Sequence, residues 1–118
     1  MTRILIADPN PSSRSAFTLL LSHKLGPSDL REAGDVDELI RALVEDPPDI
    51  LLLDWQLYDT PAPDMCRLLW KAYPTMKIVL LSVNPDDIQS AQDAGAKFIH
   101  KGASPDEVLS TFRQLLLH

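Results

Sequence analysis

The chain has 118 residues, 45% hydrophobic and 24% charged, which suits one domain, residues 1–118, with a real core and excludes intrinsic disorder. A formal net charge of -6, with eleven scattered Lys and Arg residues, argues against direct nucleic-acid binding, which depends on basic side chains against phosphates. No apolar run reaches membrane-span length and Met1-Thr2-Arg3-Ile4 opens no signal-peptide pattern, so no membrane contact and a cytoplasmic location are expected.

The first strand is expected at Arg3 to Asp8, a continuous apolar run suited to burial on both faces. Asn10 can cap the following helix with Pro11 at its first position. Phe17, Leu20 and Leu21 form its apolar stripe, and Gly26-Pro27 stops it. A short, weak strand follows at Leu30 to Ala33. Asp35 and Glu38 stand at capping-box spacing before Val36, Leu39, Ile40, Leu43 and Val44, a clean helical repeat that Pro47-Pro48 ends.

Asp49 to Asp54 is the clearest strand, followed by an Asp- and Pro-rich loop from Tyr58 to Asp64. The third helix carries Met65, Leu68, Leu69 and Ala72 and closes before Pro74. Its Cys66 reads as a small buried or half-buried side chain, and Trp70 as a cover on its outer face. Lys77 to Ser82 is a strand. Asn84-Pro85-Asp86-Asp87 starts a short helix with Ile88, Ala91 and Ala94, ended by Gly95. Lys97 to Lys101 is the last strand. Ser104-Pro105-Asp106-Glu107 starts a closing helix with Val108, Leu109, Phe112, Leu115 and Leu116. Strands alternating with helices imply a parallel α/β sheet covered on both faces.

In such a sheet the strand ends share one edge, where ligands bind. Asp8, Asp54, Ser82 and Lys101 therefore converge. The first strand-to-helix turn, Asp8-Pro9-Asn10-Pro11-Ser12-Ser13, lacks the glycines of a nucleotide-phosphate loop. A Ser-His-Asp hydrolase is also disfavoured: His23 and His118 are expected in helices, His100 in a strand, and Ser82 has no nucleophile elbow. Phosphoryl transfer suits the cluster better. A carboxylate can attack phosphorus to give an acyl phosphate, and Asp54 ends a rigid strand. The incoming negative charge needs a cation, for which Mg²⁺ held by carboxylates is the usual choice. Lys101 adds positive charge, and Ser82 can donate to a phosphoryl oxygen.

Ile4-Leu5-Ile6-Ala7-Asp8, Pro48-Asp49-Ile50-Leu51-Leu52-Leu53-Asp54, Leu81-Ser82 and Lys101 resemble, in order and spacing, the signatures of two-component response-regulator receiver domains. The likeness covers nearly the whole chain. The stretch from Ala94-Gly95-Ala96 to Lys101-Gly102-Ala103-Ser104-Pro105 is similar to receivers that precede a helix-turn-helix DNA-binding domain. The resemblance implies a flavodoxin-like (βα)5 three-layer sandwich with strand order 2-1-3-4-5. It implies Asp54 as phosphoacceptor, Ser82 as switch hydroxyl, Lys101 as the phosphate-pairing lysine and Phe98 as an aromatic switch. Mg²⁺ would be held by Asp8, Asp54 and the backbone carbonyl of Gln56. A sensor histidine kinase is the implied phosphodonor partner. A homodimer through the helix 4–strand 5–helix 5 face and a C-terminal DNA-binding domain outside this chain are further expected partners. The chain runs to Leu115-Leu116-Leu117-His118 with no linker, so truncation at a domain boundary is expected.

The pattern breaks at Pro9, where the family usually places a metal-ligating acid. Proline offers no ligand and confines Asp8 to extended backbone. One unit charge pair at 4 Å is worth about 4 kcal/mol at an effective dielectric near 20, before desolvation. Mg²⁺ binding is therefore expected to be weak. Val83 stands where the family prefers alanine or glycine, Tyr58 and Ala62 replace a usual proline and glycine, and Phe98 lacks the hydroxyl of the commoner tyrosine. These departures leave two main readings. One is a receiver that accepts a phosphoryl group on Asp54 and is not an enzyme in its own right. The other is a phosphorylation-independent pseudo-receiver, a dimerisation or protein-interaction module in which Asp54 and Lys101 form a fixed pair. A small flavodoxin-like enzyme is a third, weaker reading. Simpler roles also stand: Ser82 as a strand-end helix-capping residue, Phe98 as core, and Trp55 as packing or a partner contact.

Overall fold

A computed structural model describes residues 1–26 and 28–117. Pro27 and His118, expected at the ends of the first and last helices, lie outside the described residues. The elements are β1 (Thr2–Ala7), α1 (Pro11–Lys24), β2 (Ser28–Ala33), α2 (Val36–Glu45), β3 (Ile50–Asp54), α3 (Ala62–Ala72), β4 (Lys77–Ser82), α4 (Ile88–Asp93), β5 (Lys97–His100) and α5 (Pro105–Leu116). A 3₁₀ turn, Pro85–Asp87, precedes α4. The five strands are parallel in the order β2-β1-β3-β4-β5, the expected flavodoxin-like arrangement.

Strand periodicity divides the core into two layers. Leu5, Ala7, Leu51, Leu53, Ile78 and Leu80 face one way, against Leu39 and Leu43 of α2, Cys66 and Leu69 of α3, and Ala91 of α4. Ile4, Ile6, Ile50, Leu52, Val79, Leu81 and Ile99 face the other, against Phe17 and Leu21 of α1 and Val108, Leu109, Phe112 and Leu115 of α5. The middles of the central strands, Ile4–Ala7, Ile50–Leu53 and Ile78–Leu81, are apolar at every position because both faces are covered.

Helix ends follow the sequence signals. Asn10 accepts hydrogen bonds from the Ser12 and Ser13 amides at 2.9 and 3.1 Å. Asp35, Asn84 and Ser104 cap their helical segments in the same way. Gly26 and Gly95 follow the caps of α1 and α4 at φ of 95° and 90°, which favours glycine.

Several expectations need correction. β2 is six residues long and pairs with the whole of β1, because backbone pairing compensates for an edge sequence with little apolar character. β1 and β5 end one residue before Asp8 and Lys101. On α2, Leu39 and Leu43 are buried, whereas Ile40 and Val44 are exposed: the helix meets the sheet along a narrower stripe than its periodicity suggested. On α3 the inward side is Ala62, Cys66 and Leu69, and Leu68 and Ala72 face solvent. Leu116 on α5 is likewise exposed. Trp70 does not cover the outer face of α3. It packs against the core with its indole Nε1 donating to the Met76 carbonyl at 2.7 Å.

Candidate functional site

The strand ends meet because backbone pairing continues just past them. The Asp8 amide donates to the Ala33 carbonyl at 3.0 Å, the Trp55 amide to Leu81 at 2.7 Å, and the Lys101 amide to Ser82 at 2.8 Å. These bonds bring Asp8, Asp54, Ser82 and Lys101 to one edge.

Lys101 joins the two acids. Its Nζ lies 2.9 Å from Asp8 Oδ2 and 2.8 Å from Asp54 Oδ1. Asp8 is 0% and Asp54 4% exposed, so the sequence picture of Asp54 at an exposed strand end is corrected: the carboxylate is buried. The second oxygen of each acid is also engaged. Asp8 Oδ1 accepts from the Asn10 amide and Asp54 Oδ2 from the Gln56 amide, both at 2.9 Å. Burial works against the charge on Lys101, but its contacts with Asp54 and then Asp8 outweigh that and hold the ammonium above its ordinary pKa.

The donor set for a cation is sparse. Asp8 Oδ2 is buried and, beyond the ionic contact with Lys101, has no directed hydrogen bond. It is a buried acceptor with spare capacity, the kind of oxygen a divalent ion takes. Among the described residues, however, no group of three or more His, Cys, Asp or Glu side chains is placed to hold a metal. Pro9 accounts for the missing acid. The Asp8 backbone carbonyl is itself fixed by Arg14, whose Nη1 donates to it at 2.8 Å.

Ser82 reaches the edge but turns away from the two acids. Its hydroxyl donates to Asp87 Oδ2 at 2.7 Å and accepts from the Asn84 amide at 3.0 Å. Ser82 thus does not cap a helix, since Asn84 caps the 3₁₀ turn; it ties the loop after β4. Phe98 is half-buried and meets Trp55 edge-on, with centroids 6.4 Å apart and planes at 80°. Val83 is exposed, so its side chain does not crowd the acids.

Two contributors escaped the sequence reading. Asp87 was read only as a helix-start acid, and His100 only as a strand residue. The His100 ring Nε2 lies 2.9 Å from the Val83 carbonyl; a carbonyl only accepts, so Nε2 carries the proton. Gly102 leaves room for this ring, since a Cβ there would lie 2.8 Å from it. A carboxylate five residues beyond a strand-end serine was the available signal for Asp87. For His100 it was a polar ring at the end of the last strand.

The family model for the response regulator receiver domain matches residues 4–113, and the chain belongs to that family. It is 28% identical over 116 residues to the transcriptional activator protein ExaE of Pseudomonas putida, covering 96% of this chain and 54% of that protein. It is 31% identical over 117 residues to the DNA-binding response regulator MtrA of Mycolicibacterium smegmatis, covering 97% of this chain and 50% of that one. The chain thus spans about half the length of these relatives. In fold it is similar to the signal receiver domain of a DNA-binding response regulator from Colwellia psychrerythraea, with a TM-score of 0.87 at 16% identity and full coverage of both chains. It also resembles RcsB of Salmonella enterica, solved on a promoter with BeF3-, with a TM-score of 0.86 at 19% identity over 99% of this chain and 62% of that one. Receiver domains are phosphoacceptor modules of two-component signalling and generally bind Mg²⁺ at the phosphorylation site. No helix among the described residues is long and apolar enough to cross a membrane.

Proposed function

We propose that residues 1–118 form a cytoplasmic receiver domain that takes a phosphoryl group on Asp54. The observation that carries this reading is the Lys101 ammonium set between Asp8 and Asp54 at the carboxyl edge of the sheet. A sensor histidine kinase, or a small acyl phosphate, is the donor. An Asp54 carboxylate oxygen forms the new P–O bond as the donor's P–N or P–O bond breaks, and the leaving imidazole or carboxylate keeps the electron pair. Lys101 then pairs with the added phosphoryl charge, and Ser82 donates to a phosphoryl oxygen. Phe98 refills the space the loop leaves, which biases the α4–β5–α5 face between two states. That face is the proposed dimer surface, and the output is a DNA-binding domain beyond this chain.

Asp8, Asp54 and the Gln56 carbonyl would hold Mg²⁺, which when bound supplies the positive charge that offsets the phosphoryl oxygens. Pro9 makes this binding weak. The same residue favours a second reading, a phosphorylation-independent interaction module whose Lys101–Asp8–Asp54 contacts are permanent.

The two readings separate on one experiment. Purified chain is incubated with a small acyl phosphate and Mg²⁺, and the intact mass is recorded. The receiver reading expects one added phosphoryl group on wild type and none on Asp54→Asn. No addition at saturating donor overturns it in favour of the module. Pro9→Asp is expected to tighten Mg²⁺ binding at least tenfold, roughly a third of one strong charge pair, read by the fluorescence of Trp55. An unchanged titration would show that Pro9 is not what limits the site.

A further inference from the structure

The loop that carries the switch hydroxyl has little apolar anchorage. From Val83 to Ile88 every residue is exposed except Asp87, which is half-buried. Hydrophobic packing therefore does not fix its position, and polar contacts must. On one side His100 holds the Val83 carbonyl. On the other, Ser82 Oγ donates to Asp87 Oδ2 at 2.7 Å. The 3₁₀ turn that presents Asp87 is itself fixed by Pro85 and by the Asn84 side chain, which accepts from the Asp86 amide at 3.0 Å.

A serine hydroxyl has a single proton. Here that proton is given to a carboxylate, a charge-assisted bond stronger than one between neutral groups. The Ser82 oxygen also accepts from the Asn84 amide. Ser82 therefore cannot donate to a phosphoryl oxygen on Asp54 until it leaves Asp87.

We propose that Asp87 is a positioning residue that locks the Ser82 hydroxyl in the resting state and so sets how much of the chain switches when Asp54 is modified. The lock opposes switching by the strength of one bond, because a ligand shifts a two-state equilibrium only by its differential affinity for the two states. This rests on the receiver reading for its consequence, but the lock itself does not require phosphorylation.

The test has two readouts. In the free chain, amide hydrogen exchange at Asn84 reports the lock directly. Asp87→Ala is expected to speed that exchange several-fold, while Asp87→Asn, whose amide oxygen still accepts but without the charge, speeds it less. Equal exchange in Asp87→Ala and wild type overturns the lock. Exchange as fast in Asp87→Asn as in Asp87→Ala would mean that no accepted hydrogen bond holds Ser82, and also overturns it. The second readout is the apparent affinity for beryllium fluoride at fixed Mg²⁺, followed by Trp55 fluorescence. Asp87→Ala is expected to bind about tenfold more tightly than wild type, the scale of one released charge-assisted bond. In a Ser82→Ala background the same substitution is expected to change nothing. An equal gain in both backgrounds would mean simple relief of charge repulsion and would overturn the proposal. If wild type and all variants ignore beryllium fluoride, the receiver reading fails, and the exchange data alone decide the lock.

Discussion

Replacing Lys101 by methionine would leave the buried Asp8 and Asp54 carboxylates facing each other without its ammonium. Breaking a buried pair by removing one partner costs about 3 kcal/mol or more. Lys101→Met is therefore expected to lower stability by about 3 kcal/mol at neutral pH, read as a fall in the urea unfolding midpoint. Adding Asp8→Asn should recover part of that loss, because one uncompensated charge is then gone. A midpoint unchanged by Lys101→Met would mean that solvent already screens the pair. The identities of Asp8, Asp54, Ser82 and Lys101 were legible in the sequence because strand ends in a parallel sheet must share an edge. The Lys101–Asp54 pair was legible too, but the partners of Asp8 and Ser82 were not. Whether Ser82 turns to Asp54 or to Asp87 depends on a few ångströms of loop geometry that no residue pattern encodes.

Among the helices, caps were easier to read than faces. Asn10, Asp35, Asn84 and Ser104 all cap as their residue types suggest, because a cap is a local hydrogen bond between neighbours in sequence. Asp35→Ala is expected to cost about 1 kcal/mol by thermal or urea unfolding. α3 begins differently. Its N-cap residue, Pro61, makes no side-chain cap bond, so Pro61→Ala should lose no cap energy. An equal loss in the two variants would show that the Asp35 bond contributes nothing of its own. The helix faces failed where the sequence repeat was broad. α2 offers Leu39, Ile40, Leu43 and Val44, but a helix lying on a sheet buries only the stripe in contact, and Ile40 and Val44 fall outside it. On α3, Ala62, Cys66 and Leu69 turn inward while Leu68 turns out.

Across the molecule, Arg3, Tyr58, Cys66 and Lys101 hold protons more tightly folded than unfolded, and Cys66 and Lys101 do so inside the fold. Burial pushes the Cys66 thiol from 9.0 up to about 12, with Arg67 opposing slightly. Lys101 is raised because Asp54 and Asp8 outweigh the burial that works against its charge. A raised folded pKa gives stability that is complete below the unfolded value and is lost as pH rises through the folded one. These contributions are therefore level through neutral pH and decline above about pH 9, where unfolded thiols and then lysines give up protons. Urea midpoints taken from pH 7 to 10.5 should show this fall. Cys66→Ala should flatten the part that begins near the ordinary thiol value. In native protein at pH 8, a thiol reagent should leave Cys66 unmodified until the chain unfolds; rapid reaction without denaturant would contradict its burial. The sequence by itself determined the alternation of strands and helices, the two-sided core and the set of polar residues at one edge. Those follow from periodicity, capping and the rule that parallel strands end together. Only the tertiary structure decided that Lys101 closes both acids, that Asp87 and His100 hold the Ser82 loop, and which side of each helix is buried. These are matches of distance and volume between segments far apart in the chain, and such matches exist only once the layers have packed.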